Sequence, residues 1–314
     1  MVISVEGIRR EGGRGSFKAY EATFHDMPPS AFSSGNKIRD LRAKLVRQAR
    51  QAVSEGLSGP DAHVVRAVHT MKNMEALFNL LYEQAIEWYS LHFPELKNVV
   101  RDPSVQLSMV VRIGERKNFS QDTLKAFFSD EGSFSRVLDS VEKSSGGEIA
   151  PSTMKAIQGV AQAALQLKEE QKRLQDFVSC QMVELAPNFS ELATPIIAAQ
   201  LLGKAGSMRR LAEMPSSTIQ VLGAEEALLS HIKNKTRSPK HGFIFNHPYL
   251  KTLPKHVRGK MARTLSGKLA ICIRTDFFGK ERIVQLYKPK LEALSKKLAK
   301  APFKKTTLPS RFRE

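Results

Sequence analysis

The chain has 314 residues, 41% of them apolar and 25% charged. That suffices for two or three modest domains with real cores and excludes wholesale disorder. A net charge of +18, from 49 Lys and Arg against 31 Asp and Glu, exceeds what solubility requires and points to a polyanionic partner. Cys180 and Cys272 stand far apart with no His or Cys at ligand spacing, which argues against a disulfide framework or structural zinc and fits a reducing compartment. No apolar window approaches the roughly 18 residues of a membrane span, and the N-terminus lacks the unbroken apolar core of a signal peptide. The expected protein is soluble, intracellular and without a membrane partner.

Charge is unevenly placed. Residues 1–186 carry 24 Lys and Arg against 23 Asp and Glu, whereas residues 187–314 carry 25 against 8, for nets of +1 and +17. The polyanion-binding surface therefore belongs to the C-terminal part.

In chain order, Val2 to Val5 and Phe17 to Phe24 are strand-like runs around a Gly-rich break, a small sheet in prospect. From Asn36 to about Glu55, Ile38, Leu41, Leu45, Val46 and Val53 recur at helical intervals among many Arg and Lys, and Gly56, Gly59 and Pro60 stop the helix. Asp61 is placed to cap the next helix and complement its dipole. From there Val64, Ala67, Met71, Met74, Phe78, Leu81, Ala85 and Trp88 step by three and four, a coiled-coil seam. A second seam, Ile157, Val160, Ala164, Leu167, Gln171, Leu174, Val178, Gln181 and Leu185, follows the break at Ser144 to Gly147. The simplest arrangement folds the two seams antiparallel. Residues 97–150, helical in pattern at Val105 to Ile113 and Leu124 to Val141, then form a knob at the far end. Gln171 and Gln181 either set register or mark where the seam meets solvent. After Leu185 come short Ala-, Gly- and Ser-rich helices punctuated by prolines, a compact all-helical domain. Beyond Gly279 lies a basic tail with an amphipathic patch at Leu291 to Leu298 and no periodicity from Pro302 on.

Catalytic signatures are missing: no Walker loop, nucleophile elbow or HExxH occurs. Three glycosylation patterns, at Asn118, Asn188 and Asn234, are read as coincidental. At about 100° per residue, Lys260, Arg263 and Arg274 form a basic stripe opposite Met261, Leu265, Leu269 and Cys272, suited to phosphate contact. Lys233, Lys235, Arg237 and Lys240 lead into His241-Gly-Phe-Ile-Phe-Asn-His247. Rings in that run are suited to stacking on unpaired bases; Phe243 and Phe245 serve equally well in a core, so stacking falls to His247 and a base-edge hydrogen bond to Asn246. Gly223 and Ala224 open a short helix whose unpaired amides and small residues favour a phosphate.

These residues carry a resemblance. The run PNFSELATPIIAAQLLGKAGSMRRLAEMPSSTIQVLGAEEALLSHI, then PKHGFIFNHPYL and RGKMARTLSGKLAICIRTDFF, resembles the Nop domain from about Ala186 to Phe278. WYSLHFPEL (Trp88 to Leu96) with the two seam helices resembles that family's coiled-coil module. The resemblance implies a mainly α protein with a small N-terminal α/β platform (1–59, a fibrillarin-docking region), an antiparallel coiled-coil dimerisation module (60–186), an all-helical RNA- and protein-binding Nop domain (187–279) and a basic tail (280–314). It also implies a non-catalytic, homodimeric scaffold of a box C/D ribonucleoprotein, cytoplasmic in an archaeon and nucleolar in a eukaryote. Such a scaffold grips a kink-turn guide RNA and the small protein already bound to it. It docks fibrillarin, whose S-adenosylmethionine serves 2′-O-methylation; the scaffold itself needs no cofactor or metal. Carried over by position, Gly223, Ala224 and Glu225 fall in the signature helix, and Asn246, Arg258, Lys260 and Arg263 in a region that faces RNA. Two departures stand out. Glu226 replaces the usual Lys of the signature, so other basic groups must meet phosphate there, and the region before Asp61 is short. A splicing-type Nop scaffold, or an RNA-modifying enzyme, are the alternative readings.

Overall fold

A computed structural model describes residues 35–128, 131–279 and 281–300. The runs Val2 to Val5, Phe17 to Phe24 and Pro302 to Glu314 lie outside these residues. Among the described residues every regular element is helical and no strand occurs. No helix there is long and apolar enough to cross a membrane. The chain divides into two compact units, Met1–Gly56 and Leu57–Glu314. In the first lies most of α1 (Gly35–Ser58), the basic amphipathic helix of the periodicity, with Ile38, Leu41, Leu45, Val46 and Val53 exposed along it.

The second unit opens with α2 (Pro60–Tyr89). Its N-cap is Gly59, with Pro60 at the first helical position, so Asp61 sits two residues too far inside to cap. Instead its carboxylate accepts from the amide of Ala62 at 3.0 Å and, through the other oxygen, from the amide of Met208 at 3.0 Å. A group read as a local cap is thus a long-range tie.

Four tip helices follow, α3 (Leu96–Val99), α4 (Pro103–Arg112), α5 (Gln121–Leu124) and α6 (Glu131–Glu142), and then the long α7 (Pro151–Leu185). The pattern at Leu124 to Val141 is broken where Ser120 and Thr123 close a capping box around α5 and the chain turns at 125–128. Val64 and Ala67 share one core with Val178 and Met182, whereas Phe78, Ala85 and Tyr89 share another with Met154, Ile157 and Ala164. α2 and α7 therefore run antiparallel with their apolar stripes facing. Gln171 donates from Nε2 to the Met71 carbonyl at 3.3 Å, a half-buried polar tie across the pair. Trp88 is 41% exposed, while Ile86 and Tyr89 beside it are buried. A straight helix drifts against a seven-residue repeat, and α4 covers the face to which these two residues turn.

WYSLHFPEL earns its place by hydrogen bonding. His92 accepts the Arg116 amide at Nε2 (3.0 Å), which leaves Nδ1 to donate to the Gly147 carbonyl (2.8 Å). Glu95 accepts from Ser144 Oγ (2.6 Å) and the Ser145 amide (3.1 Å), and Arg116 donates to the Gly146 carbonyl at 2.7 Å. These bonds pin the chain break before α7 onto the end of α2.

The remaining helices are α8 (Pro187–Ala193), α9 (Pro195–Ala205), α10 (Met208–Glu213), α11 (Ser216–Val221), α12 (Glu225–Asn234), α13 (Pro248–Lys251), α14 (Lys255–Phe278) and α15 (Val284–Ala299). α14 lies at their centre, burying Met261, Leu265, Leu269 and Cys272 as the wheel requires, together with Ala262, Ser266, Ala270 and Ile273. Burial pushes the Cys272 thiol up to about 12, so it stays protonated.

A buried knot closes this layer. Pro187 at the head of α8 has no amide hydrogen to satisfy, and the next two amides, of Asn188 and Phe189, donate to the Asp276 carboxylate at 3.2 and 2.8 Å. Asn188 Oδ1 in turn accepts the amides of Ile283 and Val284, at 2.8 and 3.1 Å, where α15 starts. α15 thus begins seven residues before the patch read at Leu291 and packs Val284, Leu291 and Leu298 into the core. Asn188, one of the three sequon asparagines, is 1% exposed and fully engaged in these bonds.

Candidate nucleic-acid interface

The site is built on the last turn of α11, the head of α12, the loop 235–247 and the first half of α14. Gln220 Nε2 donates to the Lys240 carbonyl at 2.7 Å, the Gly242 amide to the Gln220 carbonyl at 2.9 Å, and the Phe243 amide to the Leu222 carbonyl at 2.9 Å. These bonds clamp the start of the Phe243–Asn246 turn, whose Ile244 is fully buried, onto the end of α11. A Cβ on Gly242 would run into the backbone of Val221 and Leu222, so only glycine permits this approach.

Gly223 has φ +92°, and a Cβ there would sit 2.5 Å from the Phe243 ring. Its amide is not open to a phosphate: it donates to Glu225 Oε1 at 2.8 Å, and the Ala224 amide donates to the Val221 carbonyl at 2.9 Å. The glycine is thus required by the turn itself, and the chain's own carboxylate sits where the sequence invites an anion. Burial acts to raise the Glu225 carboxyl, but the Gly223 amide, its own amide and Lys204 at 3.2 Å together hold it below the usual carboxylate range. α12 buries none of its residues; Glu226, Leu229 and Ile232 are exposed along it.

His247 corrects the sequence reading most plainly. It is 4% exposed and caps α13, accepting the Tyr249 amide at Nδ1 (3.2 Å). Nε2 therefore carries the proton and donates to the Leu192 carbonyl at 3.0 Å. No face is left for a base. Burial, partly opposed by the Leu192 bond, pushes this imidazole below its ordinary range. A neutral buried His stabilises the fold at and above the unfolded value of about 6.5 and loses that contribution as pH falls towards the folded value. Thermal unfolding from pH 7.5 down to 5 should show a falling midpoint, with a flatter course for His247→Gln. Parallel curves would show that His247 is not the group being charged.

Stacking instead occurs one loop turn earlier. The His241 and Phe245 rings are 4.7 Å apart and 17° from parallel, and the Arg258 guanidinium lies 5.2 Å from the Phe245 ring centre. Arg258 is itself held, donating from Nε to the Leu253 carbonyl at 2.7 Å. Burial, with Arg258 and Lys240 adding to it, lowers the His241 pKa against the opposing effect of its own backbone hydrogen bond. The sequence named these rings but not their pairing, which depends on how the clamped loop meets α14.

Lys240 is exposed, and its side chain is the nearest neighbour of Gly259 on α14, one turn from Arg263. Lys260 and Arg263 are exposed, and among the described residues neither has an ion-pair partner. Asn246 is exposed too. Lys240, Asn246, Arg258, Lys260 and Arg263 thus belong to one end of α14 and the loop folded on it. Arg274 does not. It lies 16 residues beyond Arg258, about 24 Å along the helix, and donates to the carbonyls of Ala212 (3.0 Å) and Met214 (3.2 Å), closing the C-terminus of α10. The stripe drawn on the wheel is one cationic end and one structural staple.

Residues 70–300 match the family described as Nop, snoRNA binding domain, fibrillarin. A NOP5 family protein of Methanocaldococcus jannaschii is 36% identical over 78% of this chain and 60% of its own length. Nucleolar protein 58 of Rattus norvegicus is 31% identical over 70% of this chain and 41% of itself, and nucleolar protein 56 of Saccharomyces cerevisiae is 30% identical over 74% and 47%. The chain therefore spans less than two thirds of the length of each. A crystal structure described as a fibrillarin/Nop5p complex contains a chain 25% identical, with 89% of this chain and 88% of that one covered, at a TM-score of 0.45.

Proposed function

We propose, because this chain belongs to the Nop family, that it is the non-catalytic core scaffold of a box C/D ribonucleoprotein. It grips kink-turn RNA jointly with the small protein already seated on that RNA, and it positions fibrillarin for guide-directed 2′-O-methylation. One observation carries the reading: within residues 187–314, whose net charge is +17, Lys240, Lys260 and Arg263 stand exposed at the loop end of α14, on a frame clamped by backbone hydrogen bonds. Buried apolar surface and the hydrogen bonds between α11 and the loop build that frame, so the backbone that carries the cations is fixed before RNA arrives.

In this reading residues 187–279 are the RNA- and protein-binding domain, and 60–186 hold two copies of the chain together. Residues 1–59 dock fibrillarin, which brings its own S-adenosylmethionine, and the basic segment 280–314 adds electrostatic attraction. Among the assigned residues, Lys240, Lys260 and Arg263 meet phosphate, Asn246 meets a base edge, and Gly223, Ala224 and Glu225 shape the turn that faces the RNA-bound protein. Eukaryotic relatives carry the word nucleolar in their names, and a eukaryotic source would place this chain there.

Calorimetric titration with kink-turn RNA, with and without the kink-turn-binding protein, tests the reading. Tight association is expected only when that protein is present, with log affinity falling linearly in log salt. Equal affinity for naked RNA of any shape would overturn it.

A further inference from the structure

We infer that His241, Phe245 and Arg258 form a stacking platform for one unpaired base of the bound RNA, set beside the phosphate-facing cations of α14. The inference rests on the RNA-binding reading above and adds to it a contact with a base rather than with the backbone.

The geometry is that of a prepared surface. Two rings within 17° of parallel at 4.7 Å already form an offset stack. The planar Arg258 guanidinium lies over the second ring and supplies a further flat, weakly hydrated face. All three groups are half-buried, so each keeps an edge or face in solvent while its position is fixed from below. Their supports are independent. Leu253 holds Arg258, the Gln220 and Leu222 bonds hold the backbone on either side of His241, and Phe245 closes a 3-10 turn whose neighbour Ile244 is fully buried. A loop that only bridged α12 to α13 would need none of this. Side chains ordered in advance lose little entropy when a base arrives, which is what makes stacking on them favourable.

The surroundings choose the ligand. Lys240 precedes His241 and extends along Gly259, and Arg258 closes the cluster on the α14 side. Among the described residues, the charged groups that bear on His241 are the two cations Arg258 and Lys240, with no carboxylate beside them. An aromatic face flanked only by cations suits a base with its own phosphate attached. It suits an acidic peptide less well, since that would leave the rings uncovered. Every base offers a π-face, so the platform selects for an unpaired nucleotide and not for its identity.

An abasic scan of the unpaired nucleotides in kink-turn RNA, bound together with its small protein by the full chain, tests this. At one position, loss of the base should weaken assembly about tenfold. His241→Ala should lower affinity by the same factor and make that position indifferent to the abasic change, while His241→Phe, which keeps a flat ring, should retain the dependence. An abasic cost identical in the native protein and in His241→Ala at every position overturns the platform and leaves the scaffold reading standing. Failure of the native chain to assemble overturns both.

Discussion

Replacing Asn188 by alanine is expected to cost the protein about 3–4 kcal/mol of stability, a large loss for a substitution at a residue with no part in binding. The side chain makes four hydrogen bonds at once. It donates to Asp276 Oδ1 (2.7 Å) and the Glu281 carbonyl (2.7 Å), and it accepts the amides of Ile283 and Val284. Each is worth on the order of 1 kcal/mol net, and truncation strands the buried amide of Val284 and the half-buried amide of Ile283. Asn188→Asp is expected to do at least as much harm: it keeps the acceptors for α15 but sets a carboxylate against Asp276 at the head of α8. Urea unfolding measures the loss, and limited proteolysis shows where it falls. Cleavage after Arg282 should accelerate, because α15 loses the cap that fixes its first turn. A cost below 1 kcal/mol, or unchanged cleavage, would mean that apolar packing of Val284, Leu291 and Leu298 alone holds α15 in place.

What could be read from the sequence divides by the range of the contacts. The faces of α2, α7 and α14 were legible because each repeats its pattern locally, and Met261, Leu265, Leu269 and Cys272 all lie in the core. The seam pattern points Trp88 inward, yet it is 41% exposed, because a straight helix drifts out of a seven-residue repeat by its last positions. A His beside exposed cations invites an RNA-contact reading of His247, yet its partner is a carbonyl 55 residues away. A nearer clue existed: Pro248 at a helix start marks the residue before it as a cap. Glu225 was legible in principle too, since a carboxylate at the first helical turn readily reaches back to an amide just before it. Arg274 offered no such clue, because the carbonyls it closes belong to α10, some 60 residues earlier. Residues with short-range roles were visible; those recruited by the fold as staples looked, in sequence, like binding residues.

That distinction sets up a contrast between cations of one helix. Lys260→Glu with Arg263→Glu is expected to weaken RNA assembly by about 10- to 100-fold near physiological salt, since two phosphate contacts vanish and two like charges replace them. The dependence of log affinity on log salt should also become shallower by about 1.5, each lost contact removing roughly 0.7–0.9 from the slope. Folding should be nearly untouched, because both side chains are exposed on the face opposite the core and neither is ion-paired among the described residues. Arg274→Gln should behave in the opposite way. It strands the Ala212 and Met214 carbonyls and so lowers the unfolding midpoint, yet it leaves the salt slope of assembly unchanged, because its guanidinium already serves α10. If the three cations contribute alike to the salt slope, the basic face of α14 is a uniform electrostatic surface rather than a cationic end and a staple. If the reversed pair leaves the slope where it was, the charge excess of the C-terminal half faces something other than RNA.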